Sequence, residues 1–461
     1  MKNVYFIGIG GIGMSALARY YLHRRIPVAG YDRVRTPLTE ALEREGALVH
    51  YADSEELIPP AFRGSGGGDT LVVYTPAVGG DSRELGFFRR SGLRTVKRAE
   101  ALGALALGKR LLAVAGTHGK TTTSTLLAHI MTVAGGGCTA FLGGIAKNYG
   151  ANLLLSDSPF MVAEADEYDR SFLRLFPDVA VVTSLDADHL DVYGSLGEVE
   201  RAFATFVNQL KPAGALVVKK HLTRNGKPTF MQSLSHRMYT YALDEPADFY
   251  AANLKPLEGG CYSFDLRTPG QTLCGCTVGA PGWLNVENAV AASAAACVAG
   301  ADLRRLPQAL RSFRGVQRRL DVQLSTPQLT YIDDYAHHPE ELRAAIASIR
   351  GMFPGKKLTG VFQPHLYSRT RDFAAEFAES LSLLNELVLL DIYPAREKPI
   401  DGVTSALIFD RVRLESKVMC AKNDLLSILR SRDLQVLATF GAGDIDAMVE
   451  NIREELIANS A

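Results

Sequence analysis

Leu111-Leu112-Ala113-Val114-Ala115-Gly116-Thr117-His118-Gly119-Lys120-Thr121-Thr122-Thr123 reads as a buried strand, a tight glycine turn and the start of a helix. The apolar run to Ala115 suits a parallel strand covered on both faces. Gly116 and Gly119 let the backbone approach a ligand closely. The amides of Gly116, Thr117, His118 and Gly119, at a helix N-terminus, then point at an anion. Lys120 adds a point charge for outer phosphates, and the hydroxyl of Thr121, followed by Thr122, is placed to reach Mg²⁺. A full phosphate loop has its first glycine five residues before the second. Here Val114 stands at that place and Gly116 lies nearer, so the loop is a shortened variant. A glycine turn with no ligand is the bland alternative, and the ordered Gly-Lys-Thr-Thr after an apolar strand weighs against it.

Downstream, apolar strands are expected at about 139–142, 160–163 and 179–183, with helices between. Glu164-Ala165-Asp166-Glu167-Tyr168-Asp169 falls just past the second of these and Asp186-Ala187-Asp188-His189-Leu190-Asp191 just past the third. Ligands of open α/β sheets bind outside the carboxyl ends of strands. Acid clusters there need a cation or water. Beside a phosphate loop they favour a Mg²⁺–nucleotide site, although either run alone could be a solvated loop. From 237 to 278 the pattern turns to short alternating strands broken by Gly and Pro, read as an antiparallel flap. An alanine-rich helix over 285–298 follows.

Upstream, residues 2–9 form a strand leading into Gly8-Ile9-Gly10-Gly11-Ile12-Gly13 and a helix to about Arg25. A second strand ends at Asp32. This GxGxxG with a later acid is the arrangement of a Rossmann unit. It could hold NAD, with Asp32 on the ribose, or any diphosphate-bearing nucleotide. A strand at 71–74 and helices around 39–44 and 82–90 complete a small α/β domain. Residues 63–69, with Gly66-Gly67-Gly68, read as a surface loop.

Beyond a linker at 312–321 carrying Arg314, Arg318 and Arg319, a third α/β segment alternates strands at 330–332, 358–362, 387–390 and 436–440 with helices. Its strand ends lead into Asp333-Asp334-Tyr335-Ala336-His337-His338-Pro339, Gln363-Pro364-His365-Leu366-Tyr367-Ser368-Arg369-Thr370 and Gly441-Ala442-Gly443-Asp444. The expected architecture is α/β in three domains: Rossmann-like over 1–107, a central P-loop ATPase-type domain over 108–320, and Rossmann-like again over 321–461. Lys and Arg (50) balance Asp and Glu (50), so no global field attracts nucleic acid or anionic membrane. Six cysteines without a CxxC read as reduced thiols of a cytoplasmic protein. The short, glycine-rich start is not a signal peptide, and no stretch approaches a membrane span.

Together these motifs resemble the Mur ligases of peptidoglycan synthesis, over nearly the whole chain. The most specific elements are 8–14, 116–122, 164–172, 188–191, 333–339, 363–370 and 441–445. The resemblance implies that the first domain, with Gly8, Gly10, Gly11, Gly13 and Asp32, binds a UDP-sugar, UDP-N-acetylmuramate. It implies ATP and Mg²⁺ at the second domain and L-alanine at the third. It implies an ATP-dependent ligase that phosphorylates the lactyl carboxylate and lets the alanine amine attack the acyl phosphate. Lys120, Glu164, His189, His337 and Arg369 take catalytic roles, with Thr121, Glu164 and His189 as metal ligands. Asn285, Asn288, Arg318 and Arg319 fall where the family contacts the nucleotide, and Tyr335, His337 and Arg369 on the amino-acid site. Leu284 and Leu366 stand where the family usually has His and Arg. A monomer or weak homo-oligomer is expected. Three alternatives stand beside this reading. They are a sibling ligase or folylpolyglutamate synthase, an NAD-dependent dehydrogenase, and a nucleotide-sensing module.

Overall fold

The computed structural model describes residues 2–64, 70–186, 190–395 and 397–458. The chain folds into two compact units. One is formed by residues 1–253, 264–276 and 287–314, the other by residues 254–263, 277–286 and 315–461.

Among the described residues the first unit contains two large sheets and a two-stranded antiparallel one, Thr223–Arg224 with Lys227–Pro228. A five-stranded sheet has the order Leu48–His50, Val28–Tyr31, Asn3–Ile7, Thr70–Tyr74, Thr95–Lys97, with every neighbour parallel. Its central strand is fully buried from Val4 to Ile7, as a two-sided parallel strand requires. The larger sheet is built on Arg110–Ala115, flanked in parallel by Val179–Val182 and Phe160–Glu164. Ala215–Lys219 and Thr139–Ala146 extend it in parallel on either side, and Ala151–Leu154 closes one edge antiparallel. The two sheets share one apolar core. The ring of Tyr20, on the helix Ile12–His23, packs 5.7 Å from that of Phe141. The buried amide of Asn152 donates to Ile12 O at 2.6 Å.

One expectation is corrected here. The strand Arg237–Ala242 does not open an antiparallel flap; it pairs in parallel with Ala215–Lys219. Alternation reveals that a strand exists but not its direction. The connection over 220–236 is long enough for the crossover that a parallel neighbour needs.

The second unit carries a six-stranded sheet. Its order is Asp321–Ser325, Thr330–Asp334, Val436–Phe440, Leu358–Phe362, Glu386–Leu390, Lys417–Cys420, parallel except for the first pair. Alternate residues feed two separate cores. Ile332, Phe362, Leu389 and Ala438 enter one, and Tyr331, Val361, Val388 and Leu437 the other. The sheet is therefore covered on both faces, which explains its near-continuous apolar strands. Among the described residues no helix is long and apolar enough to cross a membrane.

Candidate functional site

The phosphate-loop reading is realised in the backbone. Arg110–Ala115 ends at Gly116, and the helix Lys120–Ala134 starts directly after Gly119. Gly119 has φ 81° and Gly116 has φ 138°. A Cβ on Gly116 would lie 2.0 Å from Thr183 Oγ1, so no larger residue fits. The neighbouring strand end braces the turn. The His118 N–H donates to Ser184 Oγ at 2.7 Å, and the Thr117 hydroxyl donates to Asp186 Oδ2 at 3.0 Å. Thr122, the third residue of the helix, is buried.

Lys120 folds back over the turn. Its Nζ donates to Gly116 O at 2.7 Å and to Glu167 Oε1 at 2.8 Å. Burial alone would drive its pKa down, but Glu167, Asp166 and Glu164 outweigh that and hold it above the usual lysine value. The surrounding carboxylates thus favour the charged ammonium, which lies against the carbonyls of Gly116 and Thr117 in the turn. Thr121 Oγ1 donates to Glu164 Oε1 at 3.1 Å, while the Gly143 N–H donates to Glu164 Oε2 at 3.1 Å. Glu164 is the last residue of its strand rather than part of the following loop, because it still pairs with Val114. A hydroxyl and a carboxylate side by side at the loop suit a hard cation such as Mg²⁺, which takes oxygen ligands. His189, the third expected ligand, lies outside the described residues, as do Asp188 and the triglycine at 66–68. Asn288 Oδ1 accepts from Thr123 Oγ1 at 3.1 Å and would lie 3.0 Å from a Cβ on Gly119. It therefore stands beside the loop. Asn285, three positions earlier on the helix Trp283–Ala299, is buried and donates to Pro281 O at 2.6 Å.

The glycine turn of the first sheet belongs to the same unit. Gly8 has φ 86°, and the Gly11 N–H closes the turn on Gly8 O at 3.3 Å. Asp32 Oδ2 accepts the Gly10 N–H at 2.7 Å, which fixes the turn from within. Gly13 is covered by Arg98: a Cβ there would lie 2.6 Å from an Arg98 terminal nitrogen. Arg98 in turn donates to Asp166 Oδ2 at 3.1 Å. A cleft lined by Ile12, Gly13, Arg98, Gly143, Glu164 and Asp166 joins the turn to the acidic strand end. Arg98, Gly143 and the Lys120–Glu167 pairing were not singled out from sequence. The Gly143-Gly144 pair inside a strand was the available signal, since strand glycines mark close approach. Arg98 carried no local signal.

In the second unit the loaded strand ends separate into support and reach. Asp333 and Asp334 sit inside the strand Thr330–Asp334 and are buried, contrary to their expected place in the following loop. Asp333 accepts from Thr439 Oγ1 at 2.7 Å and from Arg318 Nε at 3.1 Å. Asp334 accepts the N–H groups of Leu320 and Ala336 at 2.7 and 2.8 Å. Burial pushes Asp334 up to about 6, against the opposing charge of Arg319 and those two amides. Arg318 also donates to Gly441 O at 2.6 Å, so much of its fork is engaged within its own unit. Arg318 and Arg319 lie 5.2 and 4.8 Å from the Tyr335 ring centre. His338 caps the helix Pro339–Met352, buried against the Phe373 ring at 5.1 Å.

The reaching groups are Tyr335, His337, His365 and Arg369. The His337 ring lies 5.1 Å from Tyr335 and 6.0 Å from His365, and its Nδ1 lies 3.2 Å from Glu341 Oε2. Arg369 is half-buried on the short helix Tyr367–Asp372. Among the described residues its guanidinium has no hydrogen-bond or ion-pair partner. Ser368 N–H donates to Glu397 Oε2 at 2.9 Å, which anchors the start of that helix. Leu366, just before it, has φ 72°, a conformation that costs a non-glycine residue about 1–3 kcal/mol.

Comparison with known proteins agrees with this geometry. Residues 3–110 match the model described as Mur ligase family, catalytic domain. Residues 114–296 match the Mur ligase middle domain, and residues 318–443 the Mur ligase, glutamate ligase domain. A UDP-N-acetylmuramate–L-alanine ligase of Parabacteroides distasonis is 49% identical over 454 residues, covering 98% of this chain and 97% of the relative. The structure of a UDP-N-acetylmuramate–alanine ligase from Thermotoga maritima has a TM-score of 0.80 and 25% identity over 99% of both chains. A MurF ligase from Thermotoga maritima in complex with ADP has a TM-score of 0.60 and 16% identity, covering 94% of this chain and 96% of its own; it shows the fold alone. This chain belongs to the Mur ligase family.

Proposed function

We infer that this chain is an ATP-dependent ligase that joins L-alanine to the lactyl carboxylate of UDP-N-acetylmuramate, a step of peptidoglycan precursor synthesis. The observation that carries the reading is Lys120. Its buried ammonium sits over a glycine turn, next to the Thr121–Glu164 oxygen pair. That arrangement meets a triphosphate with amides, a fixed positive charge and a hard-cation site. Three relatives at 48–49% identity carry the matching name over nearly their full length.

The assignments follow the three large sheets: residues 1–107 for the UDP-sugar, 108–320 for ATP and 321–461 for the amino acid. Thr121 and Glu164, with His189, would hold Mg²⁺, which supplies positive charge to phosphate oxygens when bound. Lys120 stabilises charge on the terminal phosphoryl group as the lactyl carboxylate takes it. The amides of 116–119 orient the phosphates. The acyl phosphate so formed is attacked by the amine of L-alanine, and the tetrahedral intermediate expels phosphate. Arg369 grips the alanine carboxylate through two parallel hydrogen bonds, with Tyr335 and His337 beside it.

The test is ATP-dependent phosphate release with UDP-N-acetylmuramate against a panel of amino acids, with NAD reduction followed in parallel. Release that depends on both UDP-N-acetylmuramate and L-alanine, without NAD reduction, is expected. Equal release with D-glutamate or a diaminopimelate, or none with alanine, would refute the assignment.

A further inference from the structure

Among the described residues, Arg98 is the one cation lining the cleft that joins the glycine turn to the acidic strand end. It opens the helix Arg98–Ala106 and is mostly buried, its side chain 21% exposed. Its guanidinium lies against Gly13, close enough that a Cβ there would meet it at 2.6 Å. Gly13 belongs to the first turn of the helix Ile12–His23, where backbone N–H groups have no intrahelical acceptor. Ile12 and Gly13 of that turn line the same cleft as Arg98. On the far wall stand Glu164 and Asp166, and Asp166 holds Arg98 at 3.1 Å.

An arginine kept in such a place with one carboxylate partner is poorly explained as a stabilising pair. A partly buried salt bridge gives little net stability after its desolvation cost. A chain that needed only packing at Gly13 would place an apolar side chain there. A planar fork beside free helix-start amides is instead suited to oxyanions, which it can bind through two parallel hydrogen bonds. The absence of a Cβ at Gly13 is what lets the fork reach that position. Asp166 then acts as the internal counter-ion that keeps the fork pointed into the cleft.

We propose that Arg98 binds anionic oxygens of the sugar nucleotide, those of the diphosphate or of the lactyl carboxylate. It thereby holds that substrate between the glycine turn and the Glu164 end of the phosphate-loop site. The inference rests on the ligase reading and adds to it a residue outside the recognised motifs. The role differs from that of Lys120, which faces the phosphate loop. Losing Arg98 should weaken the sugar nucleotide and leave ATP binding alone.

The test is calorimetric titration of the intact chain and of Arg98→Gln and Arg98→Lys. The titrants are UDP-N-acetylmuramate, UDP-N-acetylglucosamine, which has the diphosphate but no lactyl carboxylate, and a non-hydrolysable ATP analogue. Arg98→Gln should raise Kd for UDP-N-acetylmuramate at least tenfold, with Kd for the ATP analogue within twofold and an unchanged thermal midpoint. Arg98→Lys should recover part of the loss. A parallel loss for UDP-N-acetylglucosamine assigns the contact to the diphosphate; a loss confined to UDP-N-acetylmuramate assigns it to the carboxylate. Unchanged affinity for both sugar nucleotides in Arg98→Gln overturns the proposal, as does an equal loss for the ATP analogue. If the unaltered chain binds the ATP analogue but neither sugar nucleotide, the ligase reading itself fails, and this inference with it.

Discussion

Gly143→Ala places one methyl group against the carboxylate of Glu164 and changes no charge. The new Cβ would lie 2.2 Å from Glu164 Oε2, 2.5 Å from its Cδ and 2.6 Å from Oε1, where ordinary contact begins at 3.4 Å. The carboxylate must therefore retreat by about 1 Å, the difference between those distances. Gly143 is not at positive φ, so alanine brings no backbone strain of its own. The retreat opens the 3.1 Å contact with Thr121 Oγ1 and misplaces one of the two oxygens assigned to Mg²⁺. A misplacement of about 1 Å costs roughly 10²-fold in rate, or about 2.7 kcal/mol of barrier. The assay is the steady-state rate of phosphate release at saturating substrates, repeated across a Mg²⁺ titration. We expect kcat to fall about a hundredfold and the half-saturating Mg²⁺ concentration to rise. The thermal midpoint should be little changed, because the displaced group is at the edge of the core. A variant with unaltered kcat and Mg²⁺ dependence would show that the Glu164 position is not part of the phosphoryl-transfer geometry.

Lys120→Ala should lower turnover at least about 10²-fold. It should also destabilise the protein by about 3–5 kcal/mol, because it removes one half of the buried Lys120–Glu167 ion pair. Adding Glu167→Gln should restore most of that stability in a thermal melt and none of the rate; a stable single variant would contradict the pairing. Asp334, raised by burial from 3.8 to about 6, binds its proton more tightly folded than unfolded. Its contribution is full below about pH 4 and is lost as pH rises through about 6, worth about 3 kcal/mol. Asp334→Asn should remove this part of the pH dependence of the melting midpoint, and identical profiles would refute it. Arg369→Lys should cut catalytic efficiency for L-alanine about ten- to a hundredfold, with KM for ATP and UDP-N-acetylmuramate held, as loss of a bidentate contact worth roughly 1.5–3 kcal/mol predicts. Unchanged alanine efficiency would place the carboxylate on another group, with His337 the first to examine.

The phosphate loop was legible in the sequence because its chemistry is local. A strand, two glycines, a lysine and a threonine must be contiguous for amides and side chains to meet one phosphate chain, so spacing alone exposes them. The Rossmann turn at 8–13 and the two-sided apolar strands of the second unit were readable for the same reason: each is dictated by neighbours in the chain. Direction was not readable. The strand Arg237–Ala242 became a parallel neighbour through a crossover that alternation cannot register. Nor could sequence separate the two neighbouring acids at 333–334 from a ligand-facing loop. Only the sheet shows both buried, one bonded to Thr439 and Arg318 and the other to two backbone amides. The meeting of Arg98 with Gly13 and Asp166, of Gly143 with Glu164, and of Lys120 with Glu167 was decided by tertiary structure alone. These partners are 21 to 85 positions apart. A side chain's reach fixes which atoms it can touch, but only the packing of sheets against helices brings distant segments within that reach.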